Sequence, residues 1–487
     1  MNIILFGQAP LPIGSNNRNT APGFRVWHFA QALANNGHTV HLLAVDNTPG
    51  TVVVPEFMPL EDNIFLYYFG ESQLVQEGTI ESILRDVQPE VAVAASIYPS
   101  YLASLYLPPE IPFWADLFGS PLAEAQAKAY VYQDDSVIEP FARFEKTVLA
   151  RADRFSTVST PQKYALIGEL ALSGRLTAAT YGYQFVNCIP AATDNQLLQH
   201  NEVVMRGKIV PEEAFVVLWS GGFNTWTDVD TLFKGLEGAI AQNPKIFFVA
   251  TGGALPPHDV KTYARFEQLV NNSKHKNQFK LLGWLPLEQV HNYYYEANVG
   301  IILDKWSYEG ILGSRTRLTE WLKYGLPAIS TITAEISEQL AQASGLLTFD
   351  HGATDELTRL LLNCAENPEK LKIVAENGRK FVLENYNLST AFAPLTGWLQ
   401  KPKPAPDRGT NFAKEKSEQV DGEISAQRKL LEVISHLEEK NLQIAELEKW
   451  AKQLEISLKQ QSAGDAIKAK ERIGNLQARI RSVWRKR

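Results

Sequence analysis

A chain of 487 residues, 45% hydrophobic and 21% charged, has the composition of a folded protein and is long enough for two large domains and something more. Its two cysteines, Cys188 and Cys364, lie far apart and without metal-ligand spacing, which excludes a disulfide framework and a zinc site and points to a reducing cytoplasmic compartment. The net charge of −7 is unevenly spread: residues 401–487 hold 19 Lys and Arg against 13 Asp and Glu, and the acidic remainder argues against a nucleic-acid binder.

The opening MNIILFGQAP carries no basic leader, and its apolar run is too short for a signal peptide or a membrane span. It predicts a first strand. A long loop from Gly7 to Gly23 follows, then a helix-spaced stripe of Val26, Phe29, Ala30 and Leu33, then a second strand in GHTVHLLAV. Strand, glycine-bearing loop, helix and strand open a parallel α/β unit whose ligands bind at the carboxyl ends of the strands. At the junction APGFR, Gly23 permits close backbone approach and Arg25 supplies charge for an anion or sugar; plain turn geometry is the alternative. His28 lies on the inward stripe and reads as structural. VAVAAS, IPFWADLFG and DRFSTVST continue the alternation as buried strands. Asp116 falls at the carboxyl end of its strand, where a carboxylate facing a cleft would hold a polar substrate group; a turn or helix-capping role is the alternative. CIPAATD closes this half.

After a polar stretch the pattern restarts in FVVLWSGGFNTWTDVDTLFKGLEGAI, with a strand, Gly221-Gly222, and a helix that Asp228 would cap. IFFVATGG, FKLLGWLP and VGIILD follow as strands, so the chain reads as two similar halves with a cleft between them. The stretch WSYEGILGSRTRLTEWLKYGLPAIST, residues 306–331, then combines carboxylates, arginines and a helix start. A loop entering a helix offers free N–H groups and a positive dipole end for phosphate, to which Ser314, Arg315 and Arg317 contribute. Glu309 on the loop and Glu320 in the helix suit hydroxyls, since an ionised carboxylate only accepts hydrogen bonds. Surface ion pairs on an ordinary helix are the bland alternative. No Asp-x-Asp metal motif is visible, and Asp134-Asp135 lies in a polar turn.

LQKPKPAPDRGTN reads as a charged, proline-bearing linker. Beyond it Leu430, Val433, Leu437, Lys440, Ile444, Leu447, Ala451, Leu454 and Leu458 recur at gaps of three and four, the pattern of a coiled coil that would make a homo-oligomer; a long helix folded back on the body is the alternative. AIKAKERIGNLQARIRSVWRKR, with Ile473, Leu476, Ile480, Val483 and Trp484 among basic residues, reads as an interfacial helix for anionic lipid or as a frayed basic end.

Six segments in order resemble one family, the family 4 retaining glycosyltransferases of the GT-B fold, also grouped as group 1 glycosyltransferases. They are APGFRVWHFAQALANNGHTV, ADLFGSPLAE, DRFSTVST with CIPAATD, WSGGFNTWTDVDTL, GWLPLEQVHNYYYEANVGIIL and SRTRLTEWLKYGLPAIST, spread over nearly all of residues 1–400. The resemblance implies two facing Rossmann-like, doubly wound α/β domains plus a C-terminal α-helical coiled coil. The expected divisions are 1–195 for the acceptor side, 205–385 for nucleotide-sugar binding, 386–400 for a helix returning to the first domain, 401–422 for the linker, 423–461 for the coiled coil and 465–487 for the basic tail.

It further implies transfer of a sugar, with retention and without a metal or cofactor, from a UDP- or GDP-linked donor to a glycan or lipid-linked acceptor. Surface polysaccharide synthesis at the inner face of the membrane is the setting it suggests. Glu320 matches the family's ribose-binding glutamate and Glu309 the one that approaches the donor hexose, although ten residues separate them here where seven are usual. The usual Arg and Lys of the nucleotide domain are absent from SGGFNTWTD, so Arg315 and Arg317, with the amides of Gly221 and Gly222, are expected to hold the diphosphate. Trp226 is expected to flank the base or sugar, or else to seal the loop. Asp116, Glu309 and Arg315 are the expected catalytic groups. A catalytically silent nucleotide-sugar-binding scaffold and a GT-B sugar-nucleotide epimerase are the alternatives.

Overall fold

Apolar runs of four to seven residues, closed to water on both faces, are satisfied as central strands of a parallel sheet covered by helices. The computed structural model, which describes residues 1–13, 20–47, 56–61, 63–194, 196–256, 258–408 and 411–459, contains two such sheets. The first comprises β1 (Asn2–Gln8), β2 (Thr39–Asp46), β3 (Glu56–Glu61), β4 (Ile64–Gly70), β5 (Val91–Ala95), β6 (Phe113–Leu117), β7 (Arg154–Thr157) and β8 (Val186–Cys188). Their order is β3-β4-β2-β1-β5-β6-β7-β8, parallel except for β3 against β4. The second comprises β9 (Phe215–Ser220), β10 (Ile246–Thr251), β11 (Phe279–Leu281), β12 (Val299–Ile302), β13 (Ala328–Thr331) and β14 (Leu347–Phe349), all parallel, in the order β11-β10-β9-β12-β13-β14.

Both sheets reverse direction at their first strand. β1 lies between β2 and β5, and β9 between β10 and β12. In a doubly wound sheet the connections on either side of such a strand leave to opposite faces and open a crevice at its carboxyl end. The residues that follow β9 and β12 therefore converge.

Two crossings join the domains. The first runs through residues 189–194. The second comes after Tyr386, where Thr193 bridges Asn387 and Thr193 N donates to Tyr386 O at 2.9 Å. The helix Leu388–Leu399 then packs back on the first domain, with Phe392 edge-on to Phe29 at 4.7 Å and Trp398 against Trp114 at 5.4 Å between ring centroids.

The expected linker is a docked strap through residue 408. Ala405 is buried and its N–H donates to Asp153 Oδ1 at 2.7 Å, Arg408 Nε lies 2.8 Å from the same carboxylate, and Asp407 pairs with Arg175. Charge made this segment look solvated, but its charges meet buried partners. The next helix, Asn411–Lys459, starts earlier than the expected coiled coil. Ile424 and Leu431 pack on the first domain's core, Gln427 accepts from Thr147 at 3.1 Å, and Arg428 stacks over Tyr106 at 4.5 Å. The beginning of this helix thus lies on the body, while Leu430, Val433 and Leu437 stay 45%, 56% and 43% exposed. The basic segment 465–487 lies outside the described residues. Among those described, no helix is long and apolar enough to cross a membrane.

Candidate active site

The loop after β9 is built around close backbone approach. Gly221 has φ +87°, and a Cβ on Gly252 would sit 2.1 Å from Gly221 O, so the loops after β9 and β10 pack back to back only because both residues are glycine. This packing uses the Gly221 amide, which donates to Thr251 O at 2.8 Å. One of the two amides expected at the diphosphate is therefore engaged within the fold.

The helix Thr316–Lys323 carries Arg317 in its first turn to this loop, where its Nε lies 3.4 Å from the place a Cβ on Gly221 would occupy. It is tied to β9 by Trp321 Nε1, which donates to Ser220 Oγ at 2.9 Å. Arg317 lies over the Trp219 ring at 4.5 Å and donates to Gly222 O. Burial, aided by the neighbouring Arg315, pushes its pKa down to about 10 against the pull of Asp304. Among the described residues no carboxylate lies within ion-pair distance of it. A guanidinium held among protein atoms without a counterion, on a glycine loop at a switch point, is an anion receiver.

Arg315 is placed differently. Its Nε lies 2.6 Å from Asp304 Oδ2, and its two terminal nitrogens lie 3.2 and 2.9 Å from the Glu309 oxygens. Glu309 sits in the first turn of a short helix, Tyr308–Leu312, rather than on an open loop, because Ser307 caps that turn through Gly310 N at 3.1 Å. Gly313 lets the pair close, since a Cβ there would lie 2.6 Å from Glu309 O. Glu309 is 7% exposed, and burial raises its pKa to about 7 although Arg315 pulls the other way. Ser314 contributes its carbonyl to Arg315 at 2.9 Å, and Trp226 lies 5.7 Å from the same guanidinium. The two arginines, expected to act together on a diphosphate, are thus divided: two carboxylates hold Arg315, and Arg317 remains available.

Glu320 reaches the hinge. Thr193 Oγ1 donates to its Oε1 at 2.6 Å, and Lys323 Nζ lies 3.2 Å from its Oε2 and 3.1 Å from Asp194. Burial opposes the Lys323 ammonium, yet Glu320 and Asp194 outweigh it and raise its pKa. Lys323 was not singled out in the sequence; the signal was there, one turn after Glu320 on the same helix face.

In the first domain Asp116 and Arg25 face each other, not the cleft. Arg25 donates to both Asp116 oxygens at 3.0 and 2.6 Å and to the carbonyls of Pro190 and Ile189, while Ser156 Oγ donates to Asp116 at 2.7 Å. At 0% and 2% exposure these side chains fasten β6, β7 and the first helix to the crossing segment. The expected cleft-facing carboxylate is corrected to a buried one, satisfied by a long cation that sequence spacing could not assign to it. Gly23 likewise makes its close approach internally, where a Cβ would meet Pro10 O at 2.0 Å.

Facing Glu309 across the domain boundary is the helix Pro121–Tyr132, whose Glu124 the sequence reading passed over. Glu124 Oε1 lies 3.7 Å from His258 Nδ1 of the second domain. Tyr132 OH donates to Asp259 Oδ1 at 3.2 Å and accepts from Val260 N at 3.0 Å. The His258 ring meets Trp226 at 6.1 Å. Among the described residues, Thr225 Oγ1, His258 Nε2, Asp259 Oδ2 and Asp304 Oδ1 are buried without a hydrogen-bond partner. Of these, Thr225 adjoins Trp226 in the chain, the His258 ring meets that indole, and Asp304 holds Arg315. No group of three or more described His, Cys, Asp or Glu side chains could hold a metal ion.

Residues 202–381 match the family described as glycosyl transferases group 1. No curated protein matches the chain in sequence. In three dimensions the chain resembles sucrose-phosphate synthase from Thermosynechococcus elongatus (TM-score 0.61, 15% identity, 82% of this chain and 99% of that one). It also resembles Anabaena HepE in complex with UDP and glucose (0.58, 13%, 82% and 100%). Trehalose-6-phosphate synthase OtsA is a third such structure (0.59, 10%, 82% and 99%). These likenesses establish the two-domain fold.

Proposed function

We propose that the protein is a glycosyltransferase that takes a sugar from a nucleoside diphosphate donor, UDP-linked or GDP-linked, and passes it to a glycan or lipid-linked acceptor with retention at the anomeric carbon. One observation carries the reading. Arg317, an unpaired and partly desolvated guanidinium, rests on the Gly221-Gly222 loop at the switch point of the domain that matches group 1 glycosyl transferases. UDP in the complex of the similar HepE fold favours UDP as the first base to try.

Cleavage of the donor bond builds negative charge on the departing diphosphate and positive charge on the sugar carbon. Catalysis therefore lies in stabilising that diphosphate, which Arg317 does by charge-assisted hydrogen bonds without a resident metal. Glu320 takes ribose hydroxyls. Glu309, held by Arg315 beside Asp304, presents a carboxyl to the donor hexose. Trp306 and Tyr308, 62% and 56% exposed and 5.6 Å apart, offer aromatic faces to a glycan at the rim. The exposed Leu430, Val433 and Leu437 would pair with a second copy of the chain, and the basic residues of 465–487 would hold the enzyme to an anionic membrane where lipid-linked acceptors reside, in surface polysaccharide synthesis.

Thermal melts against a panel of UDP- and GDP-sugars, followed by assay of nucleoside diphosphate release, test the reading. A stabilising ligand that is also turned over supports it. Binding without release favours the silent scaffold, and isomerised nucleotide sugar without acceptor favours the epimerase. Absence of any stabilising ligand removes all three.

A further inference from the structure

Glu124 and His258 come from different domains and meet across the boundary between them. Their side chains are 34% and 26% exposed, so a solute can reach both, although protein surrounds them. Their 3.7 Å separation is too long for a hydrogen bond, but an oxygen about 2.8 Å from each would complete a triangle between them. His258 Nε2 is buried and unpartnered, and Asp259 Oδ2 beside it is also unpartnered in a fully buried residue. The short helix carrying Glu309 packs on the same helix as Glu124, with the exposed Trp306 and Tyr308 alongside.

We infer that Glu124 and His258 form the subsite for one hydroxyl of a sugar acceptor, split between the two domains and complete only when they meet as they do here. The inference rests on the glycosyltransferase reading of the same cleft. A hydroxyl is the group that fits because it both donates and accepts. Burial pushes the Glu124 carboxyl up to about 7 and the His258 imidazole down to about 4, so near neutrality the imidazole is uncharged and the carboxyl can give or take a hydrogen bond. An apolar acceptor would leave Glu124 Oε1 and His258 Nδ1, which face each other across the gap, without a partner between them.

The test uses the full chain, a donor established by the melts, and a panel of n-octyl glucoside, galactoside, mannoside and N-acetylglucosaminide as surrogate acceptors. Release of nucleoside diphosphate is followed against both substrates for wild type, Glu124→Ala, Glu124→Gln and His258→Asn. The expected result is a split: at least one glycoside accelerates release, Glu124→Ala raises its half-saturating concentration tenfold or more, Glu124→Gln raises it less, and the half-saturating donor concentration moves less than twofold. If Glu124→Ala fails to fold, Glu124→Gln and His258→Asn must show the split. Donor and acceptor constants moving together, wild-type saturation in the variants, or no acceleration by any glycoside overturns the acceptor assignment alone. A wild-type protein that releases nothing from any nucleotide sugar overturns the glycosyltransferase reading beneath it.

Discussion

Arg315 and Arg317 lie two positions apart on the same helix entrance, yet their surroundings give them opposite consequences on removal. Deleting the Arg315 side chain leaves Asp304 and Glu309, 2% and 7% exposed, without their cation. Arg315→Ala should therefore lower unfolding free energy by about 3–5 kcal/mol in chemical denaturation. Arg317→Ala removes a cation without a facing carboxylate, so stability should change by less than about 1 kcal/mol, while affinity for UDP or GDP by calorimetry should fall about 10- to 100-fold. The sequence showed both arginines but not this division, because the partners of Arg315 precede it by six and eleven positions in a turn no periodicity describes. A second residue-scale case is Glu145, which burial and the Glu169 carboxyl beside it raise from 4.5 to about 9. A carboxyl raised in the folded state favours folding fully below about pH 4.5 and loses that contribution as pH climbs towards 9. Glu145→Gln removes the titration, so its stability relative to wild type should grow steadily as pH rises from 5 towards 9 in paired urea melts, by at most about 1.4 kcal/mol per pH unit.

Element by element, legibility followed burial on both faces. VAVAA, FWADL, FVVLWS and VGII are closed to water throughout, and their apolar runs were readable as strands. β3 carries Pro59 and two glutamates, so it does not announce itself until β4 pairs with it. The strap at 401–408 misled for the opposite reason. Its prolines and charges are those of a solvated linker, and only the tertiary partners Asp153 and Arg175 make it part of the fold. Apolar spacing on the helix Asn411–Lys459 was equally ambiguous, since gaps of three and four serve a coiled coil and a helix laid on its own domain alike. Ile424 and Leu431 take the second option, while Leu430, Val433 and Leu437 keep a face outward. Asp407→Ala should leave Arg175, 9% exposed, without its carboxylate. The expected outcome is a loss of about 2–4 kcal/mol in docking of the strap, read as faster amide exchange and earlier protease cleavage at 401–410 while the sheets keep their protection.

At the scale of the whole molecule, the donor helix and the hinge share one carboxylate. Glu320 receives Thr193 at 2.6 Å, and Thr193 is the residue that also bridges to Asn387 where the chain crosses back. The sequence showed Glu320 on its helix and the connector at Asp194, but their meeting depends on how the two domains face each other. If ribose hydroxyls bind Glu320, they compete with the Thr193 hydroxyl for a carboxylate whose other oxygen Lys323 holds. A ribose hydroxyl that takes the place of Thr193 on Glu320 Oε1 releases one hinge hydrogen bond, worth about 0.5–1.5 kcal/mol. Thr193→Val removes the competitor while keeping the side chain's shape. It should destabilise the unliganded protein by that amount in urea and tighten UDP or GDP binding about 2- to 10-fold by calorimetry, whereas Glu320→Ala should weaken binding. Because the two effects come from the same bond, the affinity gained by Thr193→Val should match the stability lost within error. A valine variant that loses stability but binds nucleotide no more tightly would place Glu320 in the hinge and outside the ribose site.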